Sequence, residues 1–145
     1  MKIENFSMEL YEDIIKLWRK TGISVGSTDT REELERMLKR NPKLFLIGKV
    51  NENVIGVVMG GFDGRRGYVH HLAIDPDYQK KGYGKMLIDA LNERFLQMSV
   101  HKVHLFIEKD NKNVVEFYRN LGWEVRDDLI MMSFVPDKNL YKMRI

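Results

Sequence analysis

The chain contains no cysteine, so disulfides, a thiol nucleophile and thiolate metal sites are all excluded. It has no apolar run long enough to span a bilayer, and its N-terminal residues carry no signal-peptide pattern. A cytoplasmic protein with no membrane partner is the expectation. Charge of one sign is scarce as well: the formal net charge is only +3, although the sequence pI is about 9.0. That small excess could favour an anionic ligand, but no basic stripe with interleaved aromatics supports nucleic acid as a partner. Low-complexity tracts, internal repeats and linkers are missing too. What is present is ordinary for a globular protein, 43% hydrophobic and 31% charged residues over 145 positions. That length makes one domain, 1–145, able to bury a proper core.

Periodicity divides the chain. Lys2 to Phe6 reads as a short strand, and Met8 to Lys20 as a helix, because Leu10, Ile14, Leu17 and Trp18 recur at steps of three and four. Thr21 to Asp29 is a Gly/Ser/Thr-rich loop. Thr30 to Arg40 reads as a second helix, with Thr30 and Glu33 at capping-box spacing and Asn41-Pro42 ending it. The period then changes to that of strands: Leu44 to Val50, Val54 to Gly60, and Tyr68 to Ile74, which Pro76 must stop. Lys85 to Met98 is the strongest helix in the chain, with Leu87, Ile88, Leu91 and Phe95 on one face, and Lys102 to Glu108 alternates like a strand. Asn113 to Leu121 is a short helix with Gly122 as its C-cap, and Trp123–Arg126 and Leu129–Val135 read as closing strands. The predicted order is βααβββαβαββ, an α+β or mixed α/β fold with a mostly antiparallel sheet flanked by helices.

Residues 79–84, Gln79-Lys80-Lys81-Gly82-Tyr83-Gly84, lie between a strand and a helix. Two glycines at i and i+2 opening a helix gather several backbone N–H groups into a small concavity, and the helix dipole adds partial positive charge. The place suits a phosphate or pyrophosphate. It is not a Walker loop, because Met86 follows Gly84-Lys85, and it is not a dinucleotide fingerprint, because Leu87 stands where a third glycine belongs. The plain alternative is an ordinary strand-to-helix turn with solvated lysines.

A second constellation follows about thirty residues on: Asn111, Val114, Phe117-Tyr118 and Leu121-Gly122-Trp123. Val114, Phe117, Tyr118 and Leu121 share one helix face. Most of that stripe is ordinary core, but a tyrosine there must find a partner for its hydroxyl. Leu72-Ala73-Ile74, Asp75-Pro76-Asp77-Tyr78 and Gln79-x-x-Gly82-x-Gly84, followed by Asn111, Phe117-Tyr118 and Leu121-Gly122-Trp123, together resemble the GNAT superfamily of acyl-CoA N-acyltransferases over roughly residues 1 to 135.

The resemblance implies acetyl-CoA as acyl donor and a primary amine as acceptor. The pantetheine arm would pair with the backbone of Leu72, Ala73 and Ile74 like an added strand. The pyrophosphate would lie on the amides of Lys80, Lys81, Gly82, Tyr83, Gly84 and Lys85 with Gln79 nearby. Asn111 would hydrogen-bond the pantetheine, and Tyr118 would reach the sulfur and protonate it as it leaves. The N–H of Ile74 is the expected oxyanion donor.

His70 is the candidate general base, expected to share a strand face with Tyr68, Leu72 and Ile74, while His71 points the other way. The ordinary alternative for His70 is a polar residue partly buried in the sheet. His101 and His104 lack an evident third ligand, so no metal is expected. The acceptor pocket is expected between the Thr21–Asp29 loop, the second helix and the Asp127-Asp128 turn. A module that binds coenzyme A for regulation or interaction, without transfer, is the alternative function.

Overall fold

The computed structural model describes residues 1–143 and 145. Five strands form one sheet in the order β1-β2-β3-β4-β5, where β1 is Lys2–Asn5, β2 Phe45–Val50, β3 Asn53–Phe62, β4 Gly67–Ile74 and β5 Val103–Leu105. The first four are antiparallel neighbours, and β5 lies parallel to β4. That parallel step requires a crossover, which is the helix Tyr83–Gln97. Numbered along the chain, the helices are α1 (Tyr11–Lys20), α2 (Arg31–Arg40), α3 (Tyr83–Gln97) and α4 (Lys112–Asn120). The mixed α+β class expected from the sequence is the one observed.

Each helix forms where its apolar spacing can be buried. On α1, Tyr11, Ile14, Ile15, Leu17 and Trp18 are buried, and Trp18 and Ile14 are wholly so. Thr30 caps α2 as its spacing predicts: its side chain accepts the Glu33 N–H at 3.3 Å, and Leu34 anchors the helix in the core. These two helices cover one sheet face with Phe45, Ile47, Val57, Met59 and Ala73. On the other face α3 buries Leu87, Ile88, Leu91 and Phe95 against Leu44, Leu46, Val58 and Val69, with Tyr118 of α4 beside them. Burial of this kind stabilises by about 25 cal/mol per Å² of apolar surface, so both layers are integral to the fold.

Two expectations need correction at the C-terminal end. The strand expected over 102–108 is only Val103–Leu105, and neither Trp123–Arg126 nor Leu129–Val135 forms a strand. β5 ends after three residues and is the last strand of the sheet, so the apolar segments that follow enter no ladder. Ile130 is 90% exposed and Phe134 85% as a result. The chain instead returns to the loop before α2, where Ser27 N–H donates to Lys142 O and Lys142 N–H donates to Ser27 Oγ, each at 2.8 Å.

Candidate active site

The pairing of β4 with β5 stops at Val69↔Leu105, so β4 runs on from His70 to Ile74 with one edge open. On its other edge β4 stays bonded to β3, and the Asp75 N–H donates to Ile55 O at 2.7 Å. Backbone groups alternate along a strand, so those of Ile74 point to the open edge and those of Ala73 point to β3. Of the expected pantetheine-pairing residues, Leu72 and Ile74 therefore offer backbone at that edge, and Ala73 spaces them. The Ile74 carbonyl is already used, accepting from Gln79 Nε2 at 2.9 Å. Gln79 thus closes the turn out of β4, a structural job not foreseen for it.

The open edge leads straight into the glycine loop. Lys80 and Gly82 both adopt left-handed backbone, at φ of 61° and 83°. This curls the chain into the N-terminus of α3, whose first helical rung is the Met86 N–H on Gly82 O at 3.1 Å. Among the described residues, the amides of 80 to 85 donate to no backbone carbonyl outside the helix, and a helix start offers them none within it. They are free for an anion, with the α3 dipole behind them. Gly84 serves packing as well: a Cβ there would meet Phe117 Cζ of α4 at 3.3 Å. The two sequence motifs, distant in the chain, are therefore in contact.

Asn111 stands at the N-cap of α4 and is exposed, and its side chain makes no capping bond. Tyr118 lies further along α4, 6% exposed, its ring edge-on to Phe117 at 5.1 Å and to Trp123 at 5.5 Å. Burial pushes its phenol up to about 12, so it carries its proton at neutral pH and has it to donate. No hydrogen bond among the described residues uses that hydroxyl, which leaves it open to a ligand.

The histidines are not where simple alternation put them. Val58 opposes two residues of β4, because Val57 faces Ala73 and Met59 faces His70, so His71 and Leu72 form a bulge with His71 at φ 49°. The bulge shifts the phase. His70 does not share a face with Leu72 and Ile74; both His70 and His71 turn to the α1/α2 side, with Ala73, while Leu72 and Ile74 join the α3 side. Tyr68 does keep company with His70, at 6.2 Å between rings, in a row continued by His104 and Phe106. Desolvation, with a smaller contribution from His71, holds the His70 imidazole below its ordinary range, so it is neutral at pH 7.

Both imidazoles line a cavity of about 470 Å³ between β4 and α2, together with Asp29, Glu33, Arg36 and Arg40. The loop ending at Asp29 and the helix α2 thus form one wall of this cavity. The Asp127-Asp128 turn does not contribute: Asp128 is exposed and held by Arg126 at 3.0 Å. Asp29 and His71 line this cavity and were not singled out by the sequence. Asp29 looked like one polar residue of a loop, and the bulge that turns His71 inward leaves no local mark in the sequence.

Comparison with known proteins agrees with this architecture. Residues 9–123 match the Acetyltransferase (GNAT) family. An acetyltransferase of Pectobacterium atrosepticum is 34% identical over 127 residues, covering 88% of this chain and 90% of its own length. Another, from Yersinia pestis (strain Pestoides F), is 32% identical over 131 residues, covering 90% of this chain and 93% of its own. Among solved structures, the PaiA N-acetyltransferase of Thermoplasma acidophilum, in complex with coenzyme A, superposes with a TM-score of 0.78 at 21% identity. That match covers 87% of this chain and 91% of the other. Ard1 of Thermoplasma volcanium gives 0.79 at 20%, covering 86% and 83%. The chain belongs to the GNAT acetyltransferase family and is an acyltransferase. No helix among the described residues is long and apolar enough to cross a membrane.

Proposed function

We propose that this enzyme moves an acetyl group from acetyl-CoA to a primary amine by direct attack on the thioester. One observation carries the reading: the free edge of β4 ends at a cluster of uncommitted amides on a helix N-terminus. A long donor with an amide-bearing arm and a diphosphate matches both halves of that surface. Leu72 would hold the arm, with the Ile74 N–H kept for the thioester end, residues 80–85 the diphosphate, and the exposed Asn111 side chain the arm's far side. Gln79 supports the loop through Ile74 rather than serving chiefly as an anion donor.

The chemistry follows from protonation states. An amine must lose a proton to attack, and neutral His70 on the pocket wall is a suitable acceptor. Attack forms a C–N bond and an oxyanion, which the outward N–H of Ile74 can stabilise. Collapse breaks the C–S bond, and the proton of Tyr118 goes to the sulfur. Tyr118 is suited to this because burial keeps it protonated and the fold leaves its hydroxyl unspoken for.

Calorimetric titration with coenzyme A, followed by thiol release from acetyl-CoA with a panel of amines, tests the proposal. Tight coenzyme binding and amine-stimulated release are expected. Binding without any amine-stimulated release would instead indicate a coenzyme-binding module.

A further inference from the structure

The α2–β4 cavity contains an incomplete polar arrangement that the coenzyme surface does not explain. Asp29 is 5% exposed, and its Oδ2 accepts the Gly26 N–H at 2.9 Å. Its backbone carbonyl accepts the Tyr11 hydroxyl at 2.7 Å, so the residue is fixed in place. Oδ1 is left over. It faces His71 Nε2 at 3.7 Å, and among the described residues no lysine or arginine forms an ion pair with it. A buried carboxylate without a cation is costly, so the arrangement favours a cationic visitor.

The distance says what kind. At 3.7 Å the carboxylate and the imidazole are too far apart to hydrogen-bond each other. One nitrogen set to the side of the pair can nevertheless reach both at ordinary lengths of about 2.9 Å. A primary ammonium has three diverging N–H donors, as a lysine head does, and so can bridge the two. His71 is held for this by strain and packing: its φ of 49° is unusual for a residue with a Cβ, and its ring meets the edge of Trp18 at 4.8 Å. Trp18 Nε1 is itself the one buried side-chain polar atom without a partner among the described residues.

We infer that Asp29 and His71 form the acceptor subsite, binding the amine as a primary ammonium with one N–H to Asp29 Oδ1 and another to His71 Nε2. The inference rests on the transferase reading and specifies its acceptor: a cation with N–H donors, delivered to the pocket wall that also carries His70. The other charged groups facing the pair are Glu33, Arg36 and Arg40 of α2. Arg36 is loosely matched by Glu33 at 3.7 Å, while Arg40 pairs with no carboxylate among the described residues, so the cavity carries cations as well as anions and Asp29 Oδ1 is the buried acceptor among them.

The test is NMR of protein labelled with ¹⁵N-histidine, titrated at constant ionic strength with propylammonium, tetramethylammonium or propanol. Propylammonium should shift the His71 ring signals saturably, and the other two should not, since one lacks N–H donors and the other lacks charge. Asp29→Asn retains an oxygen for Gly26, so the turn is kept; it should weaken propylammonium binding by roughly tenfold or more, the worth of a charge-assisted hydrogen bond. His71→Gln should weaken it comparably. Equal shifts from all three probes, no shift from propylammonium, or undiminished affinity in Asp29→Asn would each overturn the inference. Coenzyme A titration of the same samples separates the two readings: both variants should bind it as wild type does. A wild-type protein that binds propylammonium but not coenzyme A would sink the transferase reading and leave the subsite standing.

Discussion

Lys20 Nζ donates to both carboxylate oxygens of Asp75, at 2.9 and 2.8 Å, tying the last turn of α1 to the residue that follows β4. Asp75 also caps the short turn Pro76–Tyr78 by accepting the Asp77 N–H at 3.0 Å. One carboxylate thus joins the helix before the Thr21–Asp29 loop to the entrance of the glycine loop.

Replacement of Asp75 by alanine should cost about 1 kcal/mol, the usual worth of a side-chain cap, and should weaken coenzyme binding by loosening the loop. Lys20 and the Asp77 amide hold the Asp75 carboxyl below the ordinary carboxylate range. A depressed folded value means that its contribution is complete above the unfolded value and disappears as pH falls through the folded one. Urea unfolding of wild type and Asp75→Asn should therefore differ at pH 7 and converge in strong acid. A constant gap across that range would show that charge is not the cause.

His70 gives an effect at higher pH. Its folded value is lowered by burial, so between that value and the unfolded value near ~6.5 the unfolded chain binds more protons. Stability then rises with pH through this window and falls as pH drops from 7 toward 5. His70→Gln should flatten that part of the profile in thermal melts. Should the variant lose stability on acidification as steeply as wild type, His70 is not the responsible group.

How much of this was readable from the chain depends on the range of the interactions. The Thr30 cap and the glycine loop opening α3 are set by neighbours within a few residues, and the sequence shows them, although α3 begins at Tyr83 rather than Lys85. The phase of β4 is set by its pairing with β3, where Val58 spans two residues, so the direction of both histidines was invisible. The segment 129–135 has strand composition, but composition supplies no hydrogen-bonding edge. Asp29 acquires meaning only when β4 brings His71 to it. Local signals mark the proposed coenzyme surface, and tertiary register decides the proposed acceptor wall.

Tyr118→Phe removes a hydroxyl that no other residue among those described engages, so the fold should tolerate it. Turnover should drop by ~10²–10⁴, the usual worth of a general acid, with acetyl-CoA affinity little changed. The same hydroxyl has a marker in stability. Because burial raises its folded value to about 12, unfolding becomes easier as pH climbs past the ordinary tyrosine range near ~10. The variant should lose less stability than wild type in that alkaline range. Unaltered turnover would withdraw the acid role from Tyr118, whatever the melts show.

The two glycines of the loop separate binding from packing. A Cβ at Gly82 meets no protein atom within 4 Å, so a side chain there projects into open space beside the free amides. Its left-handed φ of 83° adds a penalty of about 1–2 kcal/mol for a residue other than glycine. A Cβ at Gly84 comes within 3.3 Å of Phe117, so a larger side chain must push α3 and α4 apart, at ~1–3 kcal/mol. Gly82→Val and Gly84→Leu should therefore lose similar stability by different routes. Gly82→Val should block an anion directly, whereas Gly84→Leu should also disturb Tyr118, one residue beyond Phe117. In calorimetry, Gly82→Val should bind coenzyme A far more weakly than wild type but still bind dephosphorylated pantetheine. If both ligands weaken by the same factor, the amides of 80–85 do not hold the diphosphate.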